Sequence, residues 1–285
     1  MALHKPPSGI RARFGGKDAV NEMLKRLLGS AIVGALLLGG IYEGGLIWSA
    51  VASIIAIGSL WELYSMMYSK FKISRAWGLA GGLLMLISVS LGLSYAVTLS
   101  VLAVVAFLVL FTEVVRRQSS GQSFALYNMG GTLSGMVYII LPWSFMISIR
   151  SETWGFIFLL TIFCCTWSCD VGAFLGGRLM GRTPFAFRVS PNKSWEGFWF
   201  GLMSSIACGA LLPLVLEFPP MPLFLIGILC GVAGQIGDLG ESVLKREAGV
   251  KDSGNVIPGH GGFLDRFDSI LINAALSFFI FEVIS

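Results

Sequence analysis

Long apolar runs recur along the whole chain and are separated by short polar connections. Each run has about 18 residues or more, enough to cross a bilayer core of about 30 Å. Lipid-exposed backbone must satisfy its own hydrogen bonds, so we expect each run to be a helix. Tight turns are predicted near Glu43–Gly45 and Ser94. The runs lie at about 24–42, 46–68, 76–93, 95–115, 124–149, 153–177, 195–216, 222–244 and 263–284.

The composition agrees with a membrane protein and excludes an ordinary soluble domain. The chain has 285 residues, of which 55% are hydrophobic and only 13% are charged, and its mean hydropathy is +0.80. Soluble domains contain roughly 25% charged residues. The strict alternation of a membrane β-barrel is missing from the sequence. We therefore predict an all-α polytopic integral membrane protein with about nine transmembrane helices.

The basic residues are distributed unevenly between the connections. Of the 20 lysines and arginines, all but Arg150 lie in the N-terminal segment or in every second connection. Positively charged connections stay in the cytosol, which predicts a cytosolic N-terminus, an external Ser285 and insertion in the cytoplasmic membrane. Most of these basic residues are explained by their role in setting the membrane topology and by attraction to anionic lipid headgroups. The net charge of +4 therefore does not require a nucleic acid partner.

The chain divides by composition into three parts. Residues 1–22 form a basic tail, native or expression-derived, which lacks the apolar core of a cleavable signal peptide. Residues 23–150 are mostly apolar helices, and we expect them to serve packing and dimerisation. Residues 151–285 contain the longest polar connections, and we expect them to form the catalytic region.

Acidic residues mark the inner ends of three predicted helices in the C-terminal region. A carboxylate near lipid is costly unless it is paired or bound to a metal. Because all three positions lie at one membrane face, we predict a single site open to the cytosol. The acids are Asp170 in the sixth helix, Asp238 and Glu241 in the eighth, and Asp265 and Asp268 in the ninth.

The eighth helix presents a polar stripe. Asp238, Glu241, Ser242 and Lys245 are spaced i, i+3, i+4 and i+7, which places them on one face. At 1.5 Å per residue, Asp238 lies about 10 Å deeper than Lys245. A site at this depth can receive a nucleotide from water and a lipid headgroup from the bilayer. Several glycines in the same helix predict close approach of a neighbouring helix or a ligand.

The two acids that open the ninth helix allow two interpretations. Asp265 and Asp268 share a face of its first turns. Acids are favoured at a helix N-terminus, so simple capping is one reading. The other reading is a hard-cation site, since Mg²⁺ prefers one or two carboxylates together with substrate phosphates. We favour the second reading because a third acid, Asp238, is expected beside them.

Two polar connections are suited to phosphate groups. The stretch SPNKS, which includes Ser190, Asn192 and Lys193, is predicted to form a polar turn before Trp195. A role as helix N-cap explains Ser194 but not the other residues of this turn. The later connection contains basic side chains, a histidine and flexible glycines, which suit phosphate oxygens. Neither connection matches the phosphate-binding P-loop.

Two other groups of residues have simpler explanations. Cys165 and Cys169 share a helix face, but a zinc site needs more cysteine or histidine ligands at suitable spacing. We expect all five cysteines to be packing residues. Glu62, an acid near the inner end of the second helix, is read as a hydrogen-bonded helix-end carboxylate.

The run from Ser242 to Asp268, SVLKREAGVKDSGNVIPGHGGFLDRFD, resembles the signature of the phosphatidate cytidylyltransferase (CDP-diacylglycerol synthase) family. Every fixed position of that signature is present. The stretch from Asp170 to Gly197, with SPNKSWEG, is similar to a second patch of the family. Together these stretches extend over the C-terminal 40% or so of the chain, while the earlier helices resemble the family only in hydropathy.

The resemblance implies an integral membrane enzyme, a homodimer, whose partners are CTP, phosphatidate and membrane lipids. It implies Mg²⁺ as a cofactor, with a second, monovalent cation such as K⁺, and no nucleic acid. The metal ligands it implies are Asp238, Asp265 and Asp268. The catalytic residues it implies are Asp238, Asp265, Asp268, Lys245 and His260, and the residues that bind CTP and phosphates are Ser190, Asn192, Lys193, Arg246, Lys251, Asp252, Gly261 and Gly262.

Two other classes of protein fit part of the pattern. A polyprenol kinase that uses CTP has similar charge and hydropathy, and only the signature separates it. A transporter also has acids and broken helices within the membrane, but its site tends to lie near the midplane between repeated halves. Here the acids cluster at one face, and no internal repeat is evident.

Overall fold

Helices dominate the structure. The computed structural model describes residues 16–68, 70–186, 188–254 and 261–284, so the first 15 residues of the predicted basic tail lie outside the described part. A π turn, Met136–Ile140, joins α5 to α6 without a break. The helices are α1 Gly16–Glu43, α2 Gly45–Met67, α3 Arg75–Ser90, α4 Tyr95–Ser120, α5 Ala125–Gly135, α6 Leu141–Ser151, α7 Gly155–Met180, α8 Trp195–Leu216, α9 Pro220–Ala248 and α10 Leu264–Ile284.

The helices confirm the predicted all-α membrane class. Within the described residues, six helical segments are long and apolar enough to cross a membrane. Two shorter apolar segments are Ala31–Glu43, the second half of α1, and Arg75–Ser90. The chain is therefore a polytopic integral membrane protein. The six segments are Gly45–Met67, Tyr95–Ser120, Ala125–Ser151, Gly155–Met180, Trp195–Leu216 and Pro220–Ala248.

The predicted turn near Glu43–Gly45 is confirmed. Gly44 has a φ of 69°, a backbone conformation that glycine adopts without steric cost, and it separates α1 from α2. The Arg150 side chain donates from Nε to the Ile41 carbonyl at 2.5 Å and from Nη2 to the Tyr42 carbonyl at 2.9 Å. Carbonyl groups in the last turn of a helix have no amide donor within that helix. Arg150, the basic residue set apart in the sequence, thus stabilises the end of α1.

A buried glutamate also ties α4 to α5. Glu113 accepts hydrogen bonds from the Phe124 amide and the Asn128 side chain, both at 2.7 Å. It also forms an ion pair of 2.7 Å with Arg116. Because unpaired amides at a helix N-terminus need acceptors, Glu113 stabilises the junction before α5.

The segment before α8 differs from the prediction. Ser190–Ser194 was predicted as a polar turn, but it forms strand β2, which pairs antiparallel with β1, Pro184–Ala186. The hairpin is stabilised by packing of the Phe185 ring against Trp195, with ring centroids 4.5 Å apart. The prediction was wrong because the partner strand and this ring contact are not visible in the local sequence. The predicted N-cap is confirmed, since Ser194 Oγ accepts from the Gly197 amide at 3.2 Å.

Candidate active site

One cavity of about 840 Å³ brings together polar residues from α7, the hairpin, α9 and α10. Its volume falls within the range of small-molecule sites. Its wall also includes Phe185 and Phe198, so an apolar side accompanies the charged one. The charged and amide residues of its lining are Asp170, Arg178, Asn192, Lys193, Gln235, Asp238, Lys245, Asp265, Arg266 and Asp268.

Three carboxylates from two helices lie close together, and two of them, Asp238 and Asp268, line this cavity. Asp238 and Glu241 of α9 and Asp268 of α10 each have an oxygen within 4.8 Å of the other two. We call them the acid cluster. A Cβ built on Gly237 would lie 2.9 Å from the Asp268 carbonyl oxygen, so the glycine lets α9 and α10 approach closely. The predicted close approach of a neighbouring helix is confirmed at Gly237.

The acid cluster has the donor chemistry of a hard-cation site. The Glu241 side chain is fully buried, Asp268 is 9% exposed, and the Asp238 side chain is 39% exposed. Within the described residues, Glu241 Oε1 has no hydrogen-bond partner. Three carboxylates crowded together are costly without a cation, and Mg²⁺ binds through such oxygens while keeping sites for phosphate. The residues present therefore fit a divalent cation.

Two lysines compensate part of this negative charge. Lys193 Nζ lies 2.7 Å from Asp238 Oδ2. Lys245 forms an ion pair with Glu241 and a second, of 2.7 Å, with Asp265 Oδ1. Both lysines line the cavity, so positive side chains accompany the acids at its wall.

Asp265 has a different environment from the acid cluster. Its Oδ1 accepts from Lys245, and its Oδ2 accepts from the Ser253 amide at 2.9 Å, the Ser253 hydroxyl at 3.0 Å and the Gly262 amide at 2.9 Å. In this arrangement Asp265 stabilises the connection before α10. Its role as a metal ligand stays a prediction, while Glu241 joins the described acid cluster.

The predicted nucleotide-binding residues have different surroundings in the structure. Asn192 and Lys193 line the cavity directly. Arg246 contacts the hairpin through a hydrogen bond of 3.5 Å from Nε to the Val189 carbonyl. His260, which was predicted as a catalytic residue, lies outside the described residues. The remaining residues are the half-buried Ser190 and Gly261, the buried Gly262, and the exposed Lys251 and Asp252.

Comparison with known proteins decides the family. The model of the cytidylyltransferase family matches residues 24–284. The chain belongs to the cytidylyltransferase family. A protein named phosphatidate cytidylyltransferase from Bacillus subtilis (strain 168) is 32% identical over 273 residues, which cover 93% of this chain and 99% of the relative. Proteins of the same name from Staphylococcus epidermidis RP62A and Staphylococcus aureus COL are 35% and 33% identical, each over 87% of this chain and 95% of the relative.

Membership of the cytidylyltransferase family confirms the resemblance found in the signature. The family match extends well upstream of the two similar stretches, so the earlier helices resemble the family in more than hydropathy. The described parts of the signature converge in the structure. Lys245 and Asp265 pair directly, and Asp268 joins the acid cluster from the next turn of α10. As a family member, the chain is a nucleotidyltransferase.

Sequence reasoning did not name Glu241 as a metal ligand, and it expected hydrogen bonds at Glu62 without naming their donors. Glu241 was seen in the polar stripe, but nothing in the stripe placed it opposite Asp268. Glu62 of α2 was read as a helix-end carboxylate with unknown partners. It accepts hydrogen bonds from the amides of Phe263 and Leu264, where α10 begins. The sequence signal that pointed to Glu62 was the cost of placing an acid in an apolar helix without a partner.

The cysteines fit the packing interpretation. All five are free. Cys169 and Cys230 direct their thiols toward backbone carbonyls, of Gly231 at 3.8 Å and Ile162 at 3.9 Å. In the described part of the chain, the acid cluster is the group of potential ligands close enough to hold a metal.

Proposed function

We propose that this protein catalyses the reaction of CTP with phosphatidate to give CDP-diacylglycerol and pyrophosphate. The observation that supports it most is the acid cluster with Lys193 and Lys245 at one cavity, in a chain that covers 99% of a relative named phosphatidate cytidylyltransferase. Nucleotidyl transfer between two phosphates requires neutralisation and positioning of negative charge more than it requires a protein nucleophile.

The chemistry follows from the charge of the substrates. A lipid phosphate monoester is already anionic at neutral pH, so one of its oxygens can attack the α-phosphorus of CTP without a strong base. The new bond joins this oxygen to the α-phosphorus, and the bond from the α-phosphorus to the β-bridging oxygen breaks. Pyrophosphate leaves with that electron pair. An in-line arrangement is expected, as in other phosphoryl transfers.

The protein supplies the counter-charges. The acid cluster would hold Mg²⁺, with Asp265 as a further candidate ligand and a monovalent cation such as K⁺ as a second ion. When bound, Mg²⁺ supplies charge neutralisation to phosphate oxygens. Lys193 and Lys245 provide ammonium groups for the departing pyrophosphate, and Asn192 offers an amide at the same wall.

The topology proposed from charge is consistent with this site. We infer nine membrane crossings in the cytoplasmic membrane, with the N-terminus and the cavity on the cytosolic side. Lys193, Arg246 and Lys251 belong to connections on the positively charged side. CTP would enter from the cytosol, and phosphatidate would enter sideways from the inner leaflet. The expected homodimer, with residues 23–150 as its packing region, stays a prediction.

Replacement of the cluster acids tests the proposal. Asp238→Asn and Asp268→Asn remove charge with little change of shape, and we expect CDP-lipid synthesis from labelled CTP to fall about 100-fold or more, the scale for losing one charge-stabilising group. Glu43→Gln, at an exposed helix end, is the matched control. Near-normal synthesis by both cluster variants contradicts the proposed site. Lipid phosphate with CDP as products would indicate a kinase instead.

A further inference from the structure

The buried carboxylate of Glu62 connects α2 to the beginning of α10. Its side chain is 3% exposed. Its Oε1 accepts from the Phe263 amide at 3.0 Å, and its Oε2 accepts from the Leu264 amide at 2.9 Å. Amides at a helix N-terminus carry partial positive charge and lack intrahelical partners. Glu62 therefore supplies a negative charge where α10 needs one, from a helix about 200 residues earlier in the sequence.

Glu62 and Asp265 also share a partner. The Ser253 hydroxyl lies 3.1 Å from Glu62 Oε2 and 3.0 Å from Asp265 Oδ2. Asp265 in turn accepts from the amides of Ser253 and Gly262. The two carboxylates thus fix both sides of the connection between α9 and α10. A chain of direct contacts runs from Glu62 through Ser253 and Asp265 to Lys245 at the cavity wall.

The Glu62 carboxylate lies in close contact with the backbone at two glycines, Gly254 and Gly262. A Cβ on Gly262 would clash with Glu62 Oε2 and Ser253 Oγ, and a Cβ on Gly254 would lie 2.7 Å from Glu62 Oε1. Glycine at both positions lets the backbone close onto the carboxylate. Because interiors are close-packed, a shift of Glu62 is transmitted to the backbone that it holds.

We propose that Glu62 is a positioning residue for the acid cluster. By fixing where α10 begins, it fixes the first two turns, which present Asp265 and Asp268 to α9. Partners that orient metal-binding groups typically change metal affinity or activity by about 10- to 100-fold when they are removed. The catalytic part of this inference rests on the proposed function, whereas the cation-binding part can be measured without turnover. The helices before residue 150 therefore contribute to the site as well as to packing.

The test compares Glu62→Gln with Glu113→Gln. Both residues are buried glutamates that accept a backbone amide at the start of a later helix, but Glu113 contacts α5 and not the site. We expect Mn²⁺ binding, followed by electron paramagnetic resonance of the detergent-purified protein, to weaken about tenfold or more in Glu62→Gln and to stay unchanged in Glu113→Gln. The turnover number should fall by a similar factor, with a smaller change in KM for phosphatidate.

The possible results separate positioning from general stability. Thermal unfolding should show loss of stability in both variants, whereas only Glu62→Gln should lose Mn²⁺ affinity. Equal affinity in the two variants overturns the inference. If Glu62→Gln does not purify as a folded protein, Ser253→Ala, which deletes only the shared hydroxyl, is measured against the same control, and unchanged affinity in it overturns the inference. Absence of CDP-lipid synthesis in the wild-type protein contradicts the proposed function but leaves the Mn²⁺ comparison decisive for Glu62.

Discussion

Replacement of Lys245 by methionine probes the charge balance of the site. In the structure Lys245 compensates Glu241, whose side chain is fully buried, and Asp265, whose side chain is 10% exposed. Lys245→Met keeps most of the side-chain volume and removes the charge, which leaves Glu241 buried without a counter-charge. Breaking a buried pair in this way typically costs about 3–5 kcal/mol. A loss of about 3 kcal/mol corresponds to roughly a hundredfold change in the unfolding equilibrium.

The assay is equilibrium unfolding by SDS titration in mixed micelles. The single variant should lose about 3 kcal/mol or more of unfolding free energy. The double variant Lys245→Met with Glu241→Gln should recover most of that loss, because the uncompensated charge is gone. Millimolar Mg²⁺ should reduce the deficit of the single variant, since a cation at the acid cluster would replace the lost positive charge.

Two results would refute this reasoning. The first is an unfolding free energy of the single variant within about 1 kcal/mol of the wild-type value, which is the range of exposed ion pairs. The second is a double variant that is no more stable than the single variant. Either result would mean that Glu241 does not depend on Lys245 for its counter-charge.

Three further predictions concern CTP, packing and the cation. Lys193→Ala should raise the KM for CTP about tenfold, the usual scale for one hydrogen bond to a charged group, and an unchanged KM in initial-rate measurements contradicts this role. Gly262→Ala should lower unfolding free energy by about 1–3 kcal/mol through overpacking, whereas Gly240→Ala, whose added methyl meets no atom within 4 Å, should be close to neutral in the same unfolding assay. Chelation of divalent ions should abolish CDP-lipid synthesis and added Mg²⁺ should restore it; activity that persists after chelation counts against a divalent site.

The sequence determined the helices and the family. A bilayer forces each apolar run to satisfy its own backbone, so the positions of the runs and the break at Gly44 could be predicted locally. The signature from Ser242 to Asp268 identified the family by its resemblance, while the cost of polar residues in an apolar chain indicated only where a site lies. The stripe of Asp238, Glu241 and Lys245 followed from helical spacing alone.

Only the tertiary structure decided which carboxylates meet. Spacing places Glu241 on a polar face, but the close contact of Gly237 with the Asp268 carbonyl sets how α9 and α10 face each other. That contact brings Glu241 into the acid cluster, while Asp265 pairs with Lys245 and with backbone amides. Likewise, nothing local to Glu62 indicates α10 as its partner. Helix formation is a local response to the bilayer, whereas the meeting of side chains depends on the packing angle and rotation of helices distant in sequence.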